Sequence, residues 1–179
     1  DMQIYKTPLK EFKFLIEDFL KLNETEFLKN QELETSDLML ILDEAAKLCE
    51  ETLLPLNQSG DSEGCKFDNG NVTTPKGFKD AFKLFAENGW QGLKVKEEFG
   101  GQNLPYIMNM LLDEMISSTN MSFGLYSGLT ANAIDAIEKS GSNELKKTYL
   151  PNLASDLRVG GNVNIKKTLS VGGNFNAGD

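Results

Sequence analysis

The stretch Pro105-Tyr106-Ile107-Met108-Asn109-Met110-Leu111-Leu112-Asp113-Glu114-Met115-Ile116-Ser117-Ser118-Thr119-Asn120 decides the fold class. Met108, Leu111, Leu112, Met115 and Ile116 fall at the three- and four-residue spacings of a helix. Pro105 opens this helix, about Tyr106 to Thr119. Asn120 and Ser122 separate it from a second, roughly Phe123 to Lys139, which Gly141 ends. Both are apolar over more than one stripe, which places them centrally among other helices.

The flanks carry the same period. Downstream, Ser142 caps a short helix, Asn143 to Leu150, with Pro151 soon after it. Upstream, Phe78, Ala81, Phe82 and Phe85 form a core stripe at i, i+3, i+4 and i+7; Thr74 is its cap and Pro75 its first position. Asn88-Gly89 stops that helix. Trp90 to Val95 reads as extended, and Glu97-Glu98-Phe99-Gly100-Gly101 as a solvated turn. A further helix spans about Ser36 to Leu54, with Ser36 as its cap, a long stripe from Leu38 to Leu53 that includes Cys49, and Pro55 as its stop. The first helix covers Pro8 to Leu22, and Asn23 to Glu34 connects the two. Asn57 to Thr74 reads as a long polar loop or a marginal hairpin. Its Asp residues lack the ordered spacing and closing Glu of a calcium loop. The expectation is a mainly α protein, an up-and-down helical bundle of five or six helices.

Composition narrows the chemistry. The 179 residues contain no His, which removes a His general base, a Ser/His/Asp triad and a His-ligated metal. A net charge of -9 argues against nonspecific binding to nucleic acid and against an anionic membrane surface. No apolar run approaches the roughly 20 residues that span a bilayer. Two Cys cannot build a disulfide framework, so a cytoplasmic, reducing setting is expected. Arg158 is the only arginine, leaving few planar forks for bidentate grip on phosphate.

After Asp156 the texture changes. Arg158-Val159-Gly160-Gly161-Asn162-Val163-Asn164-Ile165 repeats, twelve residues on, as Ser170-Val171-Gly172-Gly173-Asn174-Phe175-Asn176-Ala177. Short β rungs with Gly-Asn turns fit this pattern, so a short C-terminal β appendage is expected. The chain divides accordingly into an extension helix and connector over 1–34, a helical domain over 35–156 and a Gly/Asn-rich tail over 157–179.

Three ordered motifs carry a family resemblance. They are Asn88-Gly89-Trp90-Gln91-Gly92-Leu93, then Glu97-Glu98-Phe99-Gly100-Gly101-Gln102-Asn103-Leu104-Pro105, then Gly141-Ser142-Asn143-Glu144-Leu145-Lys146-Lys147-Thr148-Tyr149-Leu150-Pro151-Asn152-Leu153. Together they resemble the N-terminal helical domain of acyl-CoA dehydrogenases. The opening Tyr5-Lys6-Thr7-Pro8-Leu9, with Phe12 and Phe14, is similar to the branch that includes the 3-methylmercaptopropionyl-CoA dehydrogenases. The resemblance covers about residues 2 to 156. Where the family usually has Gly, this chain has Asn103, a residue that tolerates left-handed backbone.

The resemblance implies a parent that oxidises an acyl-CoA thioester to the enoyl form with FAD, as a homo-oligomer. It also implies that the helix from Phe123 onward turns Leu125, Gly128, Leu129 and Asn132 towards the thioester tail. Plain core packing is the competing reading of those four positions. The adjacent Asp113-Glu114 are read as helix charges rather than a proton-sharing pair. The family's flavin-holding β domain and its carboxylate base do not follow here. The tail is instead similar to stem segments of phage tail fibres, which suggests a truncated or fused gene product that binds no cofactor alone. Two further readings stay open: a non-enzymatic helical interaction module joined to the β-repeat tail, and a small helical carrier of acyl chains.

Overall fold

The computed structural model describes residues 4–155. The Gly/Asn repeat and its expected β rungs lie outside that range. The architecture is mainly helical, as the periodicity predicts. The helices are α1 (Leu9–Phe14), α2 (Glu26–Asn30), α3 (Thr35–Lys47), α4 (Leu54–Glu63), α5 (Phe78–Glu87), α6 (Tyr106–Thr119), α7 (Met121–Ser140) and α8 (Asn143–Ser155). A small antiparallel hairpin pairs β1 (Lys66–Asp68) with β2 (Asn71–Thr73).

Several boundaries differ from the sequence reading, each for a local reason. The helix over α3 does not stop at Pro55. It passes through a π turn, Leu48–Leu53, into α4, whose first turn takes the proline. The proline sits at the handover: the Leu54 N–H still donates to the Cys49 carbonyl of the π turn, Pro55 offers no donor, and the α ladder resumes after it. The N-terminal half of the expected polar loop is therefore helical. The hairpin follows it, turning at Asn69 and Gly70, with φ of 48° and 82°. Such paired left-handed residues match the twist of a two-residue hairpin turn.

The start of α3 is capped by Glu34 rather than Ser36. Glu34 and Asp37 form a reciprocal capping box, and Asp37 accepts from the Glu34 N–H at 2.9 Å. At α5, Thr74 and Pro75 precede the helix, and Gly77 opens it at φ 90°. Trp90–Gly92 is a 3-10 turn rather than an extended segment. Pro151 lies inside α8 rather than beyond it. Its lost backbone bond is offset by burial on both sides. Leu150 and Ala154 are buried with Val95, Phe99 and Ile134 in a second, smaller apolar cluster.

The main core joins Phe12, Ile16 and Leu28 from the N-terminal extension to Leu38, Leu42 and Leu53 from α3 and the π turn. Phe85 of α5 and Met108, Leu112, Met115 and Ile116 of α6 complete it. The Phe stripe of α5 packs as expected: Phe85 is buried, and Phe78 and Phe82 lie against the core. Cys49 is fully buried, and burial pushes its thiol up to about 12. Of the two helices expected to be central, α6 is. By contrast, α7 buries one face through Phe123, Ser127, Thr130 and Ile134 and leaves its opposite face open.

Asn120 joins these parts. Its carbonyl oxygen accepts from the Phe123 N–H at 3.1 Å and so caps α7. Its amide donates to the Leu53 carbonyl at 3.1 Å, a group at the end of the π turn. The chain between α5 and α6 is equally fixed. The N–H groups of Gln102, Asn103 and Leu104 donate to the carbonyls of Gly92, Val95 and Leu93 at 2.8–3.0 Å. Asn103 occupies the left-handed region at φ 51°, where its amide side chain is tolerated.

Candidate functional site

The most convergent polar site lies in a cleft between α6 and α7, closed at one end by Lys94. Its free volume is about 190 Å³. Three small residues of α7, Gly124, Gly128 and Ala131, form one wall. A Cβ added at Gly128 would meet nothing within 4 Å, so this position opens directly onto free space.

The depth of the cleft is polar. Lys94 is 7% exposed in its side chain and pairs with Asp135 of α7 at 2.7 Å. Its Nζ also sits 4.8 Å from the centroid of the Tyr106 ring, so the ammonium is held from two sides. Four residues C-terminal to Asn109 on α6, Asp113 accepts from the Asn109 amide at 2.8 Å. Asp113 lies at the exposed mouth, with Ser117 and Asn132. The protein around it pushes its carboxyl above the ordinary aspartate range, chiefly by desolvation, with Lys94 and the Asn109 bond opposing. Neighbouring Glu114 does not line the cleft, so the two acids share no proton.

The four positions implied as an acyl wall divide between two surfaces of α7. Gly128 and Asn132 line the cleft. Leu125 and Leu129 stand on the open face, 66% and 72% exposed, so neither is packed in the core. Lys94 and Asp135 were not legible as a site from the sequence, because they lie 41 positions apart and each reads alone as a surface charge.

A second, wider groove of about 620 Å³ runs between α3 and the Leu84–Trp90 region. Glu44 and Glu51 rim it, and its Lys47 is already paired with Asp43 and Glu44. Neither space suits a flavin dinucleotide. The first cannot enclose a tricyclic ring joined to a dinucleotide. The second sets carboxylates where a pyrophosphate would need cations or free N–H groups. Among the described residues no group of three or more His, Cys, Asp or Glu could hold a metal ion. Also among them, no helix is long and apolar enough to cross a membrane.

This arrangement falls within a known sequence family. Residues 35–156 match the model of the acyl-CoA dehydrogenase N-terminal domain. The chain is 36% identical over 162 residues to 3-methylmercaptopropionyl-CoA dehydrogenase of Ruegeria pomeroyi, a match that covers 90% of this chain and 27% of that protein. It is 29% identical to butyryl-CoA dehydrogenase of Syntrophomonas wolfei, over 84% of this chain and 25% of that enzyme. An 80-residue stretch is 36% identical to mitochondrial isovaleryl-CoA dehydrogenase of Solanum tuberosum, covering 44% of this chain and 19% of the potato enzyme. The chain thus spans about a quarter of the length of the first two. With the helical fold, the matched span and these relatives in agreement, the chain belongs to the acyl-CoA dehydrogenase family, whose N-terminal domain it carries.

Proposed function

We propose that this chain supplies the helical wall of an acyl-CoA dehydrogenase site, and that the assembled parent carries out α,β-dehydrogenation of an acyl-CoA thioester. In that parent FAD supplies hydride acceptance at its ring system. The work of the present residues is to bind and orient the acyl group. Leu125 and Leu129 give the tail an apolar face, and Gly128 lets a chain approach α7 without meeting a side chain. Asn132 offers an amide at the edge of the cleft. The parent is a cytoplasmic homo-oligomer, and the 179 residues alone bind no flavin and turn over no acyl-CoA.

One observation carries this reading most directly: the cleft inside the matched span, 35–156, is lined by two of the four wall positions, Gly128 and Asn132, with Leu125 and Leu129 on the open face of the same helix. The small volume of the first space and the acidic rim of the second support the inactivity of the chain alone. The test uses the purified chain with added FAD and butyryl-CoA. Expected are amide shifts at Gly128 and Asn132 in ¹⁵N NMR spectra, with no flavin absorbance retained after dialysis and no dye reduction. Dye reduction by the chain would overturn the inactivity. Unmoved Gly128 and Asn132 resonances with any acyl-CoA would overturn the wall.

A further inference from the structure

The cleft beside Gly128 is not the apolar slot that an unbranched alkyl tail would fill. Lys94, Asn109, Asp113, Ser117, Asn132 and Asp135 line it. Its volume of about 190 Å³ gives room for waters or for a short chain end. On the α7 side Gly128 opens directly onto that space, since a Cβ there would meet nothing within 4 Å.

The charges also select. Asp135 matches Lys94 at 2.7 Å and neutralises it. Asp113 is then the charge that sets the sign at the mouth, and Asn109 already donates to one of its oxygens. A carboxylate brought here meets a like charge. An alkyl end displaces water from Lys94 and Asp113 without replacing its hydrogen bonds, which costs affinity. A neutral donor–acceptor group satisfies both: it can donate to Asp113 and accept from the Asn132 amide or a remaining Lys94 N–H.

We infer that the acyl group received here is short and ends in a neutral hydrogen-bonding group, a hydroxyl, seated in the cleft beside Gly128. This rests on the wall reading above and narrows it to a substrate class. The chain positions the hydroxyl end; no bond is made or broken at this place.

The test is ¹⁵N NMR titration of the full chain with butyryl-CoA, 4-hydroxybutyryl-CoA and succinyl-CoA, read at Lys94, Gly124 and Gly128. A hydrogen bond of ordinary net strength predicts that the hydroxyl thioester binds about 3- to 10-fold more tightly than butyryl-CoA. Succinyl-CoA is expected to bind most weakly. Asp113→Asn, checked for a dispersed spectrum, relieves the repulsion of succinyl-CoA. Ser117→Ala, which leaves both charges in place, keeps the order. Butyryl-CoA binding as tightly as the hydroxyl thioester, or succinyl-CoA binding more tightly, overturns the inference while leaving the wall intact. No shift at Gly128 with any of the three removes the wall itself, and this inference with it.

Discussion

At Asn120 one side chain does two jobs, and both are buried. The residue is 0% exposed, caps α7 through its oxygen and answers the Leu53 carbonyl through its nitrogen. The second bond ties the start of α7 to the end of the π turn, where α4 begins. Asn120→Ala removes both bonds. A lost cap costs about 1 kcal/mol and a lost side-chain hydrogen bond about 0.5–1.5 kcal/mol, so a loss of about 2 kcal/mol is expected by urea denaturation. Asn120→Ser keeps a neutral cap acceptor and removes the amide donor, so it should fall between wild type and Asn120→Ala. Equal losses in the two variants would show that the cap contributes nothing, and wild-type stability in Asn120→Ser would show the same of the bond to Leu53. The sequence identifies Asn120 only as a break between helices. Its tie to a carbonyl 67 positions away is invisible there, since a capping residue looks the same whatever its amide reaches.

Among the elements, the N-terminal extension depends on a polar clip. Glu50, in the π turn, accepts from the Thr7 N–H at 2.8 Å and pairs with Lys6 at 2.7 Å. Burial alone would raise the Glu50 carboxyl. The Lys6 and Thr7 bonds outweigh it, and the carboxyl lies below the usual 4.5. The sign follows from linkage: the clip's contribution is fully present above the unfolded glutamate value and is lost as pH falls through the lower folded value. The Thr7 amide resonance should therefore titrate with a midpoint below 4.5 in the wild type and not at all in Glu50→Gln. A wild-type midpoint at or above 4.5 would contradict the clip. With Lys6 exposed, its ion pair is screened, and the energetic weight rests on the Thr7 bond. Helical periodicity revealed α3, α5, α6 and α7 without any of this. It misplaced ends where a local device overrode the usual signal: Pro55 in a first turn, Glu34 as cap, and Pro151 carried inside α8 by the burial of its neighbours.

For the whole molecule, the family span and the folding unit are different things. The matched segment begins at residue 35, yet Phe12, Ile16 and Leu28 are 2%, 0% and 1% exposed in the same core as α3 and α6. Burial of a large apolar side chain contributes about 1.5–3 kcal/mol, so losing three approaches the whole stability of a domain, about 5–15 kcal/mol. Removing residues 1–34 is expected to abolish a cooperative thermal transition by circular dichroism at 222 nm. A sharp transition at the wild-type midpoint would show that 35–155 is self-sufficient. The cleft is a property of the same scale. It exists because the 90–104 segment, pinned by backbone bonds, carries Lys94 to Asp135 of α7.

The amino-acid order alone determined that the chain is helical, which residues of α5 and α6 face inward, and which family its motifs belong to. Those properties follow from spacing along one chain and from glycine and proline at turns, all local in sequence. Only the tertiary structure decided that Leu125 and Leu129 face outward while Gly128 and Asn132 open onto a polar cleft. It also decided that a lysine and an aspartate 41 residues apart would meet at 2.7 Å. A helix with apolar residues on more than one stripe has several faces it could bury, and the packing of its neighbours selects among them.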